Sequence, residues 1–163
     1  MRIGELCALQ WGDIDFESSL LRVRKTVQRV STESGKHKTA LVVSTPKTET
    51  SLRVIPLPGF ITELLQAHRR DGELFVVSGR DKPTEPRTLT HRFKQILKSA
   101  GLPDVKFHTL RHTFATNCLQ RNFDVKTLSE ILGHANTDIT MRIYVHTSLD
   151  RKAACMNLLE PLA

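Results

Sequence analysis

The feature that most constrains this chain is a change of period part-way along it. Between Leu20 and Pro58 the apolar residues alternate with polar ones or form short β-branched runs, as in "LLRVRKTVQRV", "ALVVSTP" and "SLRVIPLP". Alternation of that kind builds half-buried strands. From Phe60 onward the spacing becomes helical, beginning with Phe60, Ile61, Leu64 and Leu65 on one face. Strands followed by helices indicate an α+β class: a mainly helical domain with a small three-stranded antiparallel sheet near the N-terminus.

The elements can be placed more closely. Ile3, Leu6 and Leu9 open the chain in a helical pattern, and "WGDIDFESS" ends it with turn formers. "STESGKHKT" reads as a polar excursion. The strands "ALVVSTP" and "SLRVIPLP" flank "KTET", which puts Lys47 at or near a hairpin tip. A short apolar "ELFVV" leads to a loop from Gly79 to Arg87. Thr90 is then the expected cap of a helix with Phe93, Ile96 and Leu97 inward and Gly101 and Pro103 as its stop. In "HTLRHTFATNCLQRN" the expected core stripe is Leu110, Phe114 and Cys118, leaving His108 and Arg111 away from the core. "DVKTLSEILGH" is capped by Asp124 and ended by Gly133, and two further helical stretches follow, one containing Tyr144.

A chain of 163 residues, 39% apolar and 25% charged, suits one domain with a real core. Its net charge of +7 favours a polyanionic partner. Cys7, Cys118 and Cys155 are scattered, with no C-x-x-C pair, as expected of reduced intracellular thiols. No apolar run reaches the length of a membrane span and the N-terminus lacks signal-peptide character, so the expectation is a cytoplasmic protein with no membrane partner.

Tyr144 is the single tyrosine of the chain. A buried tyrosine commonly fills volume and satisfies one hydroxyl, so other residues must argue for chemistry. His108 and Arg111 are spaced to share a helical face, and His134 lies just past a helix-ending glycine. His108 and His112 have the spacing of a zinc helix, but the metalloprotease glutamate is absent and Arg111 would repel the ion. Asp13 and Asp15 could suggest a metal-dependent nuclease, yet "GDID" is better explained as a turn. No Gly-rich phosphate loop occurs, and neither a metal nor a cofactor is expected.

The order "RIGEL", "TPKTETSLRVIPL", "HTLRH", "LGH", "RIY" resembles the catalytic domain of the tyrosine recombinases, or phage integrases, and most closely integrases of conjugative transposons and lambda-like phages. The resemblance runs from Arg2 to about Arg151. It implies site-specific strand exchange on double-stranded DNA through a 3'-phosphotyrosyl intermediate, for integration or excision of a mobile element. Four protomers would act on two DNA sites, with accessory DNA-bending or excision proteins as further partners. By position, Arg2 and Arg111 match the two catalytic arginines, Lys47 the hairpin lysine, His108 and His134 the two histidine positions, and Tyr144 the nucleophile. Glu5 would support Arg2 from the next helical turn.

These residue types suit the chemistry. Charge accumulates on the non-bridging oxygens in phosphoryl transfer, and two permanently protonated guanidiniums offer planar forks of donors to it. His108 is the expected base for Tyr144, Lys47 the acid for the leaving oxygen, and His134 a phosphate ligand. Two other readings share the motifs: an inactive DNA-binding or regulatory module of the same fold, and type IB topoisomerase-like cleavage.

The family's complete enzymes carry a DNA-clamping domain and further helices before the first arginine. The expectation is therefore a catalytic domain over residues 1–163 that lacks those segments, is monomeric in isolation and binds DNA weakly. Arg2 would sit at a fraying helix end. Arg22, Arg24, Lys25, Lys36 and Lys38 are candidates for the surface facing the DNA backbone. The apolar tail "AACMNLLEPLA" would dock on a neighbouring protomer or fold back on its own.

Overall fold

The structure is a computed structural model that describes residues 1–31, 39–45 and 51–134. Helix α1 (Ile3–Ala8) leads through a short 3-10 turn at Trp11–Asp13 into strands β1 (Ile14–Asp15), β2 (Leu20–Val23), β3 (Thr26–Ser31), β4 (Thr39–Ser44) and β5 (Arg53–Pro56). Helices α2 (Gly59–Ala67), α3 (Pro86–Ser99), α4 (His108–Gln120) and α5 (Val125–Leu132) follow. The expected α+β order is present, and so is a three-stranded antiparallel sheet. Its order is β1-β2-β5, and β3 and β4 form a second, two-stranded sheet.

Strand membership differs from expectation at two places. "LLRVRKTVQRV" is not one strand: it breaks at Arg24 and Lys25, whose side chains turn to Asp13 and Gln10, and its halves join different sheets. Nor do β4 and β5 pair as a hairpin. Strand β5 lies against β2, with Leu21 opposite Ile55 and Val23 opposite Arg53, whereas β4 lies against β3 from Thr26 opposite Ser44 to Ser31 opposite Thr39. The physical reason is that they serve different apolar clusters. Ile55 packs on the group of Leu9, Trp11, Ile14, Leu21 and Val23, whereas Leu41 packs on Cys7, Ala8 and Val27.

Helix α1 lies close on β3 because residue 4 has no side chain. A Cβ there would come within 2.6 Å of the Thr26 hydroxyl and 2.7 Å of the Val27 carbonyl. This close approach is what the glycine of "RIGEL" provides, and it fixes where Arg2 and Glu5 are held.

"ELFVV" forms turns, with Phe75 bridged singly to Gln10. Helix α3 starts earlier than expected: Glu85 is its N-cap and Pro86 its first residue, and Thr90 lies inside it, donating its hydroxyl to the Pro86 carbonyl. Proline's fixed φ suits that first position. Of the expected face of α3 only Leu97 is buried, and Ile96 is exposed. Along α2, Thr62 is the buried residue and Phe60 and Leu64 face outward.

Helix α4 overturns the sequence expectation at Leu110, Phe114 and Arg111, while Cys118 is buried and His108 exposed as expected. Its buried stripe is Arg111, Ala115, Cys118 and Leu119, while Leu110 and Phe114 are 49% and 46% exposed. Ala115 and Cys118 are small enough to bring α4 against Leu128 and Leu132 of α5, and that packing determines which face turns inward. The second arginine of the motif therefore points into the protein. The helical stretches expected around Tyr144 and at the C-terminus lie outside the described residues.

Candidate active site

The site is organised around the C-terminal end of α5. Asp124 caps the start of that helix by accepting from the Thr127 backbone N–H at 2.8 Å. Gly133, at φ 67°, ends it in the left-handed conformation, and the His134 N–H closes the turn on the Ser129 carbonyl at 3.0 Å. A helix end leaves carbonyls without intrahelical partners. Here three successive ones each accept from a different arginine: Ile131 from Arg53 Nε at 2.8 Å, Leu132 from Arg111 Nη2 at 2.7 Å, and Gly133 from Arg2 Nη2 at 2.8 Å. The negative end of the helix dipole favours cations in this position.

A single carboxylate ties two of these arginines to each other. Glu5 Oε1 accepts from Arg2 Nη1 at 3.0 Å and Arg53 Nη1 at 3.1 Å; Oε2 accepts from the Arg2 backbone N–H at 2.7 Å and Arg53 Nη2 at 2.8 Å. Burial alone would raise the Glu5 pKa, but the bonds from Arg53 and Arg2 prevail and hold it at about 2. Arg2 is thus fastened to Glu5 and Gly133, which corrects the expectation of a frayed end.

Arg111 is 7% exposed. Its Nη1 is buried and has no hydrogen-bond partner among the described residues. Burial, followed by the charge of Arg2, lowers its pKa to about 10, so it stays protonated at neutral pH. Among the described residues the cluster accordingly holds three guanidiniums to one carboxylate, Glu5 bonding Arg2 and Arg53 while Arg111 bonds the Leu132 carbonyl. An anion delivered there would meet a surplus of positive charge and a donor already stripped of water.

The two histidines are uncharged at neutral pH. Burial first, then His112, Arg111 and Arg2, depresses the pKa of His108. Burial with Arg111, Arg2 and Arg53 takes His134 down to about 4. Each ring therefore carries one N–H and one lone pair, so it can donate to or accept from a reacting oxygen. The His108 ring stands edge-on to that of His112 with centroids 4.7 Å apart. Together with Arg111, Ile3, Phe107 and Leu110 it lines a cavity of about 210 Å³.

Of the residues expected from sequence, Arg2, Glu5, Arg111 and His134 converge at the end of α5, and His108 lies one turn before Arg111 on α4. Lys47 and Tyr144 lie outside the described residues, as do Lys36 and Lys38. Arg22 is engaged by Asp15 at 3.2 Å, Arg24 by the buried Asp13, and Lys25 by Gln10, so the acids of "GDID" serve as internal partners of surface cations. Arg53 was missed by sequence reasoning. The available signal was alternation: Arg53 and Ile55 share the inward side of β5 while Val54 is exposed. A cation at an inward strand position requires a buried partner.

Comparison with known proteins gives the family of the chain. The model of the phage integrase family matches residues 1–151. A "tyrosine recombinase XerC-like" protein of Caldanaerobacter subterraneus is 36% identical, the match covering 99% of this chain and 46% of that protein. Tyrosine recombinase XerA of Thermococcus onnurineus is 32% identical over 94% of this chain and 49% of its own. The chain thus spans about half the length of the curated relatives it matches. Among solved structures, the Tn1549 transposon integrase in complex with transposon right end DNA superposes with a TM-score of 0.76 at 26% identity, covering 98% of this chain and 55% of that one. No helix among the described residues is long and apolar enough to cross a membrane.

Proposed function

The chain belongs to the phage integrase family, and on that premise we propose that it is the catalytic domain of a tyrosine-type site-specific recombinase acting on double-stranded DNA. The observation that carries this reading is the buried Nη1 of Arg111, without a partner among the described residues and beside Arg2, in a cluster that among those residues has more guanidiniums than carboxylates. A tetrahedral phosphoryl oxyanion fits such a site, because preorganised donors act most strongly where water is excluded.

In this proposal Arg2 and Arg111 hold the non-bridging oxygens of the scissile phosphate and His134 donates a further hydrogen bond. The Tyr144 Oη attacks phosphorus and loses its proton to His108; the P–O5' bond breaks, and the 5'-oxygen takes a proton from Lys47. The 3'-phosphotyrosyl ester retains the energy of the broken linkage, so an incoming 5'-hydroxyl reverses the step without ATP. Arginines supply the positive charge, so no metal or cofactor is required. Strand exchange would engage four protomers on two sites and serve integration or excision of a mobile element. It also calls for a DNA-clamping domain, consistent with relatives about twice as long.

The test is covalent trapping. Nicked suicide duplexes, selected for binding from random-sequence DNA, are incubated with the full-length protein and resolved on denaturing gels. A protein–DNA adduct that disappears in Tyr144→Phe is expected; no adduct, or one that persists in Tyr144→Phe, would overturn the proposal.

A further inference from the structure

We propose that Arg53 is a positioning residue that neutralises Glu5, so that this carboxylate holds Arg2 in place without cancelling the charge Arg2 presents to substrate. The inference rests on the phosphate-binding reading above and adds a residue to it.

The geometry separates the two arginines on Glu5. The Arg53 side chain is 6% exposed and that of Glu5 3%, whereas Arg2 is 42% exposed. Arg53 spans both carboxylate oxygens from the sheet side, and two further N–H groups go to the Ile131 and Ser51 carbonyls. Four of its five N–H donors are thus engaged within the protein, and its side chain is buried. Arg2 uses one nitrogen on Glu5 and one on Gly133, with its outer edge toward solvent.

With two donors on each oxygen, all four lone-pair positions of Glu5 are occupied. The Arg2–Glu5–Arg53 unit carries a net charge of +1, concentrated outward on Arg2. Without Arg53, the buried Glu5 anion would pair with Arg2 alone. A neutral pair would then face the phosphate, and in a dry site that loss of charge bears on the rate.

The test compares charge with space-filling in the full-length protein by single-turnover cleavage of suicide DNA. Arg53→Gln, which keeps hydrogen-bond donors but loses the charge, should slow cleavage on the order of a hundredfold. Arg53→Lys should stay within about tenfold of the parent, because it keeps the charge without the fork. The double variant Glu5→Gln/Arg53→Gln should regain at least about tenfold over Arg53→Gln, since no carboxylate remains to claim Arg2. Arg53→Lys as slow as Arg53→Gln, or a double variant no faster than the single, would overturn the proposal. An NMR titration of the Glu5 carboxyl reads the same point without catalysis. In Arg53→Gln its midpoint should rise from about 2 toward the ordinary 4.5, and an unchanged midpoint would equally overturn it. If the parent forms no adduct, the cleavage reading fails while this titration still decides the neutralising role.

Discussion

Arg111 donates from Nη2 to the Leu132 carbonyl at 2.7 Å, a buried bond that joins α4 to the end of α5. The other terminal nitrogen of the same guanidinium, Nη1, has no partner among the described residues. One arm of the fork is therefore structural, and in the proposed reaction the other is the one that meets the phosphate. Both uses need the planar, divergent donors of arginine.

This division predicts the behaviour of Arg111→Lys. An ammonium is a single point charge and cannot hold Leu132 and a phosphate oxygen in the same two directions. Covalent cleavage of suicide DNA should fall on the order of a hundredfold or more, while the helical circular dichroism spectrum keeps its shape. Parental rates in Arg111→Lys would show that the fork is unnecessary.

Acid should destabilise the protein in two steps of the same sign. The folded pKa of His134 is lowered from 6.5 to about 4, so the unfolded chain takes up that proton first, and stability declines as pH falls from 6.5 through 4. Glu5 is lowered from 4.5 to about 2, so its contribution is complete above 4.5 and lost as pH falls through 2. Thermal melting between pH 7 and pH 2 should show a continuous loss, and Glu5→Gln should flatten the part below pH 4.5. A Glu5→Gln profile parallel to the parent there would contradict the assignment.

Gly4→Ala should weaken the fold by about 1 to 3 kcal/mol, the ordinary cost of overpacking. The added methyl meets the Thr26 hydroxyl and the Val27 carbonyl, and the carbonyl, being backbone, cannot turn away. Urea unfolding checks the magnitude. Pairing the change with Thr26→Ala should recover only part of the loss; full recovery would mean that the backbone contact is unimportant.

Local signals were the most legible in the sequence. Asp124 and Gly133 mark the ends of α5 because capping depends on residues within a turn of the boundary. Gly101, with φ of 66°, follows α3 for the same reason. Features set by distant partners were not legible. Strand β5 pairs with β2 rather than β4 because of the apolar cluster that Ile55 joins, a choice local alternation does not encode. The inward face of α4 was misread at Leu110, Phe114 and Arg111 because the smaller Ala115, beside the correctly expected Cys118, is what admits α5. Arg53 escaped notice because its carboxylate partner lies 48 residues away. Arg2, Arg111 and His134 were recognised by order along the chain, and the convergence of Arg2, Arg111 and Arg53 on three consecutive carbonyls emerged only in the structure.

The most direct test of the central claim, that the cluster neutralises charge on a scissile phosphate, uses a substrate without that charge. Suicide DNA carrying a methylphosphonate at the cleaved position lacks one charged non-bridging oxygen. On ordinary phosphodiester, Arg111→Ala should be slower than the parent by on the order of a hundredfold or more. On methylphosphonate the deficit should shrink to within about tenfold, because there is less charge for Arg111 to neutralise. An equal deficit on both substrates would mean that Arg111 acts through packing alone and would contradict the account.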